Sequence, residues 1–312
     1  MNCCLFDTHC DTAYEMYKRK KGLYSGELHV SLDYAEKYRR YCQCTAIWSD
    51  KALSDGEAYI QFFDIYRYFC TEIEKAKAAV LCRSYGDIEK AHKEDKAAFI
   101  LTVEDARLLG GDISRLDKLC ECGVKMLTFQ WEGETCTGGG FDTDLPLTDF
   151  GKDVAHRCAS LSIIPDISHA CERTARGIME IMAEYNKPVI ATHSNSYSIC
   201  PHKRNLTDSL FLDVVGMGGI VGISLAVQHL STDGVASSET VLSHIEHYAE
   251  IGGLYNICLG CDFDGIEKTP RDIKDLRNLD NLAEAMLSHN YKEADVEAVF
   301  YKNAERFLCE NL

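Results

Sequence analysis

The sequence predicts an α/β fold in which eight parallel strands close into a (β/α)8 barrel of the TIM type, with residues 1–312 forming a single domain. Three observations predict it. Short β-rich apolar runs alternate with longer stretches of helical periodicity. Eight such runs can be found. They are apolar on both faces, as strands covered by helices on one side and packed inside a barrel on the other must be. A doubly wound open sheet would produce much of the same pattern.

The candidate strands are Cys3–Asp7, Cys42–Trp48, Ala97–Glu104, Val124–Phe129, Ser162–Ser168, Pro188–His193, Gly219–Ser224 and Ile257–Cys261. Between them, Ile60, Phe63, Tyr66, Phe69 and Ile73 recur at helical spacing, and Val296, Val299, Phe300, Ala304, Phe307 and Leu308 mark another helical face near the C-terminus. No Pro- or Ser-rich linker divides the chain. Residues 132–147, rich in Gly and Thr, and residues 228–238 read as long loops, which in barrels often shape the substrate site.

Composition limits the function classes. Hydrophobic residues make up 46% of the chain, enough for a large core, and the formal net charge of -16 repels nucleic acid and anionic bilayers. The opening MNCCLFDTHCD has no basic segment followed by a long apolar one, and nothing approaches the ~20 apolar residues of a membrane span. Sixteen cysteines in 312 residues fall short of a disulfide scaffold, so free thiols in a reducing cytoplasm are the expectation.

The polar residues are informative by position. The first strand runs into His9 and Asp11, the third ends in Glu104, the fifth runs into His169, the sixth ends in His193, and the eighth runs into Asp262. In a barrel these ends share one rim, where active sites are built. Each also has a plain reading: His9 and Asp11 as a turn, Asp166 and His169 as a helix cap, Asp262 and Asp264 before Gly265 as a turn. Coincidence at five of eight strand ends is harder to accept. Imidazoles mixed with carboxylates suit borderline divalent ions, zinc first, with manganese and cobalt as alternatives. His9 and Asp11 could grip one ion, His169 and His193 the other, with Glu104 bridging. Lys125 sits at the wrong end of its strand to bridge. His244 and His247 read as a solvated helix face, Cys42 and Cys44 as small core residues, and Cys10 as turned away from its neighbours.

Together "FDTHCD", "VED", "PDISHA", "THSNSYSICPHKRNLTD" and "GCDFDG" resemble, in order and nearly end to end, the motifs of the membrane (renal) dipeptidase family of metal-dependent amidohydrolase-like barrels. The resemblance implies a dipeptidase with two Zn2+ per chain. His9, Asp11 and Glu104 would hold one ion, and Glu104, His169 and His193 the other. Asp262 would be the acid/base and Arg204 the partner of a substrate carboxylate. A hydroxide bridging the two ions would attack the peptide bond. The family also points to a homodimer. Two positions depart from the animal members. Trp131 in "LTFQWEGET" stands where they carry a substrate-contacting His, and Leu225–Ala226 where they carry Phe-Tyr, which leaves substrate preference open. Alternatives are cleavage of another small amide (a modified, D-configured or dehydro dipeptide) or a non-catalytic metal- or thiol-binding protein.

Overall fold

The computed structural model describes residues 4–312; Cys3, the expected start of the first strand, lies outside the described residues. The strands are β1 (Leu5–Cys10), β2 (Tyr41–Ile47), β3 (Ala79–Cys82), β4 (Ala97–Glu104), β5 (Met126–Thr128), β6 (Ile164–Asp166), β7 (Ile190–Ala191), β8 (Ile220–Ile223) and β9 (Ile257–Leu259). The sheet order is β2-β1-β9-β8-β7-β6-β5-β4-β3, and β2 also pairs with β4, which closes eight of the strands into a barrel. Every pairing is parallel. The expected (β/α)8 barrel is therefore present, and the open-sheet alternative is not.

The strand that sequence periodicity missed is β3. One edge of β4 pairs with β2 over Ala98–Val103. The other edge is shared, with β3 along Ala97–Ile100 and β5 along Thr102–Glu104. β3 thus fills the gap below β5 at the end of the barrel where the strands begin.

Helices follow the strands, and several start where a hydroxyl side chain satisfies a first-turn amide. Ser54 and Glu57 form a reciprocal capping box for helix Asp55–Ala76. Thr148 caps Asp149–Leu161 and Thr207 caps Asp208–Gly216. The first of these corrects an expectation. Its buried stripe is Ala58, Phe62, Ile65, Phe69 and Ile73, whereas Ile60 is 63% exposed. Ile60 lies roughly 160° round the helix from Phe62, so it cannot share that face. All six apolar residues named near the C-terminus are buried.

Inside the barrel, the end where the strands begin is apolar: Phe6, Cys42, Cys44, Ala98, Ile100, Met126, Ile164, Ile190, Ile220 and Cys258 form one buried cluster. Cys42 and Cys44 are small core residues, as expected. Higher up, Thr8 Oγ1 shares its one proton between Thr192 O (2.7 Å) and Leu259 O (2.9 Å), tying β1 to the neighbouring β9 and across to the chain after β7. Backbones approach so closely there that a Cβ on Gly260 would lie 1.8 Å from Thr192 O. Every cysteine among the described residues is a free thiol, and no helix among them is long and apolar enough to cross a membrane.

Candidate metal centre and active site

Above that layer the chain turns polar at nearly every strand end while staying buried. β1 carries a bulge: Asp7 pairs with Gln43 and Cys10 with Thr45, so three steps on β1 face two on β2. A bulge re-aims side chains, and here it presents His9 and Asp11 to the same space, His9 Nε2 lying 3.5 Å from Asp11 Oδ2. Cys10 turns away and packs in the core near Thr45, at 3.6 Å. The β1–β9 pairing continues past the strands through Asp262 N–His9 O (3.1 Å) and Asp11 N–Phe263 O (2.9 Å). That ladder brings Asp262 Oδ1 to 4.0 Å from His9 Nε2.

Glu104, the last residue of β4, sits in the middle. Its Oε1 lies 2.9 Å from His169 Nε2 and 3.6 Å from His193 Nε2, while its Oε2 lies 3.4 Å from His9 Nε2. The two oxygens of one carboxylate therefore face different imidazoles. His169 and His193 point their Nε2 atoms at each other across 2.9 Å. His169 Nδ1 is 3.0 Å from Trp131 O, an acceptor, so it carries the proton. Thr192 Oγ1 donates to Asp166 Oδ2 (2.6 Å) and is left to accept from His193 Nδ1 (2.8 Å) and His9 Nδ1 (3.3 Å). With these tautomers, bare nitrogen lone pairs converge on the centre. They repel unless a cation lies between them.

Electrostatics separate His9 from the other two imidazoles. Burial holds His169 down to about 4 and His193 well below the usual imidazole value, with Arg204 adding to both. Burial pushes Asp11 well up, Glu104 adding to it, and lifts Asp262 to about 7, against His9. For His9, burial is outweighed by Glu104 and Asp11, which raise it well above the usual value. His9 Nε2 and Asp11 Oδ1 are buried with no hydrogen-bond partner. Among the described residues two sets have donor atoms within 4.8 Å of one another, His9–Glu104–His193 and His9–Asp11–Asp262. Imidazole and carboxylate donors, orphaned and mutually repelling, fit divalent metal.

The backbone is bent to make this possible. His169, Asp262 and Asp264 have φ of 67°, 61° and 65°, the left-handed region that side chains other than glycine rarely occupy. Gly265 has no such φ but is needed for space: a Cβ there would lie 2.1 Å from Asp11 Oδ2. Asp264 also borders the cavity but is engaged, accepting from Thr12 Oγ1 (2.6 Å) and His29 N (2.7 Å), so it anchors the loop, while Asp262 faces His9.

Beside these groups lies a cavity of about 460 Å³ whose lining includes Asp11, Glu104, Trp131, His169, Arg204 and Asp262, a size usual for small-molecule sites. Arg204 is only 3% exposed, so it is not a solvated loop charge. It donates to Ser194 Oγ and His193 O, each 2.9 Å, while its Nε has no partner, and burial lowers it to about 10. The structure thus brings together all eight residues picked out in the sequence.

Other expectations need correction. His244 is fully buried, not solvated: Ser196 N donates to its Nδ1 (3.0 Å) and its Nε2 reaches Leu230 O (3.0 Å). His247 is half-buried and pairs with Asp208 (2.8 Å). Leu225 and Ala226 belong to the core and do not line the cavity. The cavity residues Tyr14, Trp48, Phe141 and His229 were not foreseen, nor was Thr192 as a support, although a threonine interrupting the apolar run before His193 was a visible signal.

A parallel barrel with histidines and carboxylates converging at the strand ends, beside a small-molecule cavity, is the arrangement of a metal-dependent enzyme. The model of the membrane dipeptidase family (peptidase family M19) matches residues 1–311, and the chain belongs to that family: it is a metal-dependent dipeptidase. An uncharacterized protein from the pqqA 5′ region of Klebsiella pneumoniae is 28% identical over 240 residues, 73% of this chain and 87% of that protein. A metallopeptidase from Rhodobacter sphaeroides, solved with a phosphinate mimic of the dipeptide L-Ala-D-Ala, superposes with a TM-score of 0.92 at 22% identity, covering 99% of each chain. Dipeptidase AC, of family M19, also gives 0.92, at 24% identity over 100% of this chain and 99% of that one. At these identities the superpositions establish the shared fold.

Proposed function

We propose that this dipeptidase works with two zinc ions that share Glu104, one held further by His9 and Asp11, the other by His169 and His193. The observation that carries the reading is the division of the Glu104 carboxylate, Oε2 toward His9 and Oε1 toward His169 and His193. Bound there, the ions would supply Lewis acidity, easing the ionisation of a water near neutral pH and the polarisation of the scissile carbonyl. The chain's own residues do the rest. Asp262, directly beside the donor set, takes the proton of the attacking water and passes it to the leaving amine. Arg204 retains N–H donors beyond the two it spends on Ser194 and His193, and turns them to the substrate's terminal carboxylate. Trp131 orients His169 through its carbonyl and walls the cavity with its ring.

Metal analysis tests the first part: close to two ions per active chain are expected, with Glu104→Gln losing metal and activity together. One tightly held ion in fully active protein would overturn it. Asp262→Asn should keep the fold and most of the metal but lower turnover by roughly 10²–10⁴-fold. A second reading, cleavage of dipeptides with a D-configured C-terminal residue, draws on the ligand of the Rhodobacter relative. Paired assays on L-Ala-L-Ala and L-Ala-D-Ala separate the two readings.

A further inference from the structure

The cavity has two unlike poles. Arg204 lies on the loop after β7, whereas Trp48 directly follows β2. Round the barrel the order is β2-β4-β5-β6-β7 one way and β2-β1-β9-β8-β7 the other, so the two residues stand on opposite sides of the rim. The groups that converge on the centre lie between them.

At the Trp48 pole three rings form a corner. Tyr14 meets Trp48 edge-on at 5.0 Å, and Trp48 lies 5.2 Å from Trp131, all three lining the cavity. The corner is held from behind. Arg107 Nη2 donates to Asp50 O and its Nη1 to Leu53 O, both at 2.8 Å, fixing the segment that follows Trp48. Two charges at this edge pair with each other, Lys51 Nζ lying 3.1 Å from Glu132 Oε1, with the ammonium 5.5 Å from the Trp131 ring centre. Beside Tyr14, Lys18 and Glu15 also line the cavity and pair at 3.5 Å, so the charges here are matched and what this pole offers a ligand is chiefly aromatic surface.

A dipeptide spans only about 7 Å of extended backbone. With its carboxylate at Arg204 and its amide at the centre, its first residue must lie toward the far pole. We propose that the side chain of the substrate's N-terminal residue packs against Trp48 and Trp131, and that Trp48 makes the enzyme select dipeptides whose first residue is large and apolar or aromatic. This rests on the reading of Arg204 as the carboxylate partner.

The test is kcat/KM for an X-Ala series (X = Gly, Ala, Asp, Leu, Phe) and an Ala-X series, on parent, Trp48→Ala and Trp48→Phe. The parent should favour Leu-Ala and Phe-Ala over Gly-Ala and Asp-Ala. Trp48→Ala should cut Phe-Ala by about 10–200-fold, the range for a lost apolar pocket contact, while Gly-Ala changes by less than about 3-fold. Trp48→Phe should fall between. Equal losses across the X-Ala series, or a parent indifferent to X, would overturn the proposal. So would an effect of Trp48 confined to the Ala-X series, which would mean that the substrate binds the other way round. The Arg204 reading fails separately: Arg204→Ala would then lower Phe-Ala and its C-terminal amide alike, a result that the Trp48 series does not depend on.

Discussion

The two ends of the barrel interior are almost equally buried and chemically opposite. Where the strands begin, Cys42, Cys44, Cys258, Ile100, Met126 and their neighbours make a dry cluster. Burial pushes the Cys42 and Cys44 thiols well up and Cys258 to about 12, so these sulfurs behave as small hydrophobes rather than nucleophiles or ligands. Where the strands end, His9, Glu104, His193 and Asp262 are just as hidden, yet His9 Nε2 and Asp11 Oδ1 lack partners. An interior that leaves polar atoms unmatched is built around something it must bind. The difference also speaks against the alternative of a non-catalytic thiol-binding protein, since the cysteine-rich end is a packed core.

The sharpest way to break this comparison is to add a single methyl group at the polar end. Gly265→Ala would drive Cβ into the space of Asp11 Oδ2. Displacements of about 1 Å at such centres cost on the order of 10²-fold in rate, so turnover should collapse while thermal unfolding moves little. Unchanged kinetics would show that the loop yields freely.

Next in size is the support beneath the histidines. Thr192→Val keeps the shape but removes the hydroxyl that accepts from His193 and His9. Metal affinity should fall by about 10–100-fold, with Thr192→Ser recovering most of it. Competition with a chelator reads this directly. If Thr192→Val held metal normally, the imidazoles would be fixed by packing alone.

A smaller effect is expected at His244, which joins the segment after β7 to that after β8. Its ring is neutral in the fold, pushed down to about 4 by burial from an ordinary 6.5. Because the folded value is the lower one, its contribution is complete above about pH 6.5 and declines as pH falls toward 4. Chemical denaturation from pH 7.5 to 4.5 should show that decline, with His244→Phe flattening part of it. At neutral pH the same variant leaves Ser196 N and Leu230 O unmet, a cost of about 1–3 kcal/mol.

The least effect belongs to the apolar end. Cys44→Ala should leave metal content and kcat/KM within about 2-fold of the parent, and Cys44→Ser should cost about 1–3 kcal/mol of stability through its buried hydroxyl. Loss of metal in either variant would contradict the division drawn between the two ends.

The polar end was legible in the sequence because its residues interrupt apolar runs, and parallel topology then gathers the strand ends on one rim. Glu104 and His193 could be read that way from local pattern alone. Trp48 and Tyr14 could not: what brings them to Trp131 is the neighbourhood of strands around a closed barrel, and local periodicity does not record it. His244 was misread because a histidine on a mixed helix face looks alike whether it meets water or two backbone groups. β3 escaped notice because AVLC is four residues long and borrows only the lower edge of a neighbour. Ile60 was misplaced because helix Asp55–Ala76 carries apolar residues on more than one side.

That borrowed edge has a consequence for motion. β4 is flanked by β2 over Ala98–Val103 on one side and by β3 followed by β5 on the other, so every residue from Ala97 to Glu104 is paired on at least one edge. Among the barrel strands it should open last, and its amides should be the slowest to exchange with heavy water. The carboxylate proposed to join the two ions therefore stands at the tip of the most firmly clamped strand, while residues that meet the substrate, such as Trp131 and Arg204, ride on loops. The ruler that sets the spacing of the centre is stiff, and adaptation to different dipeptides falls to the parts around it.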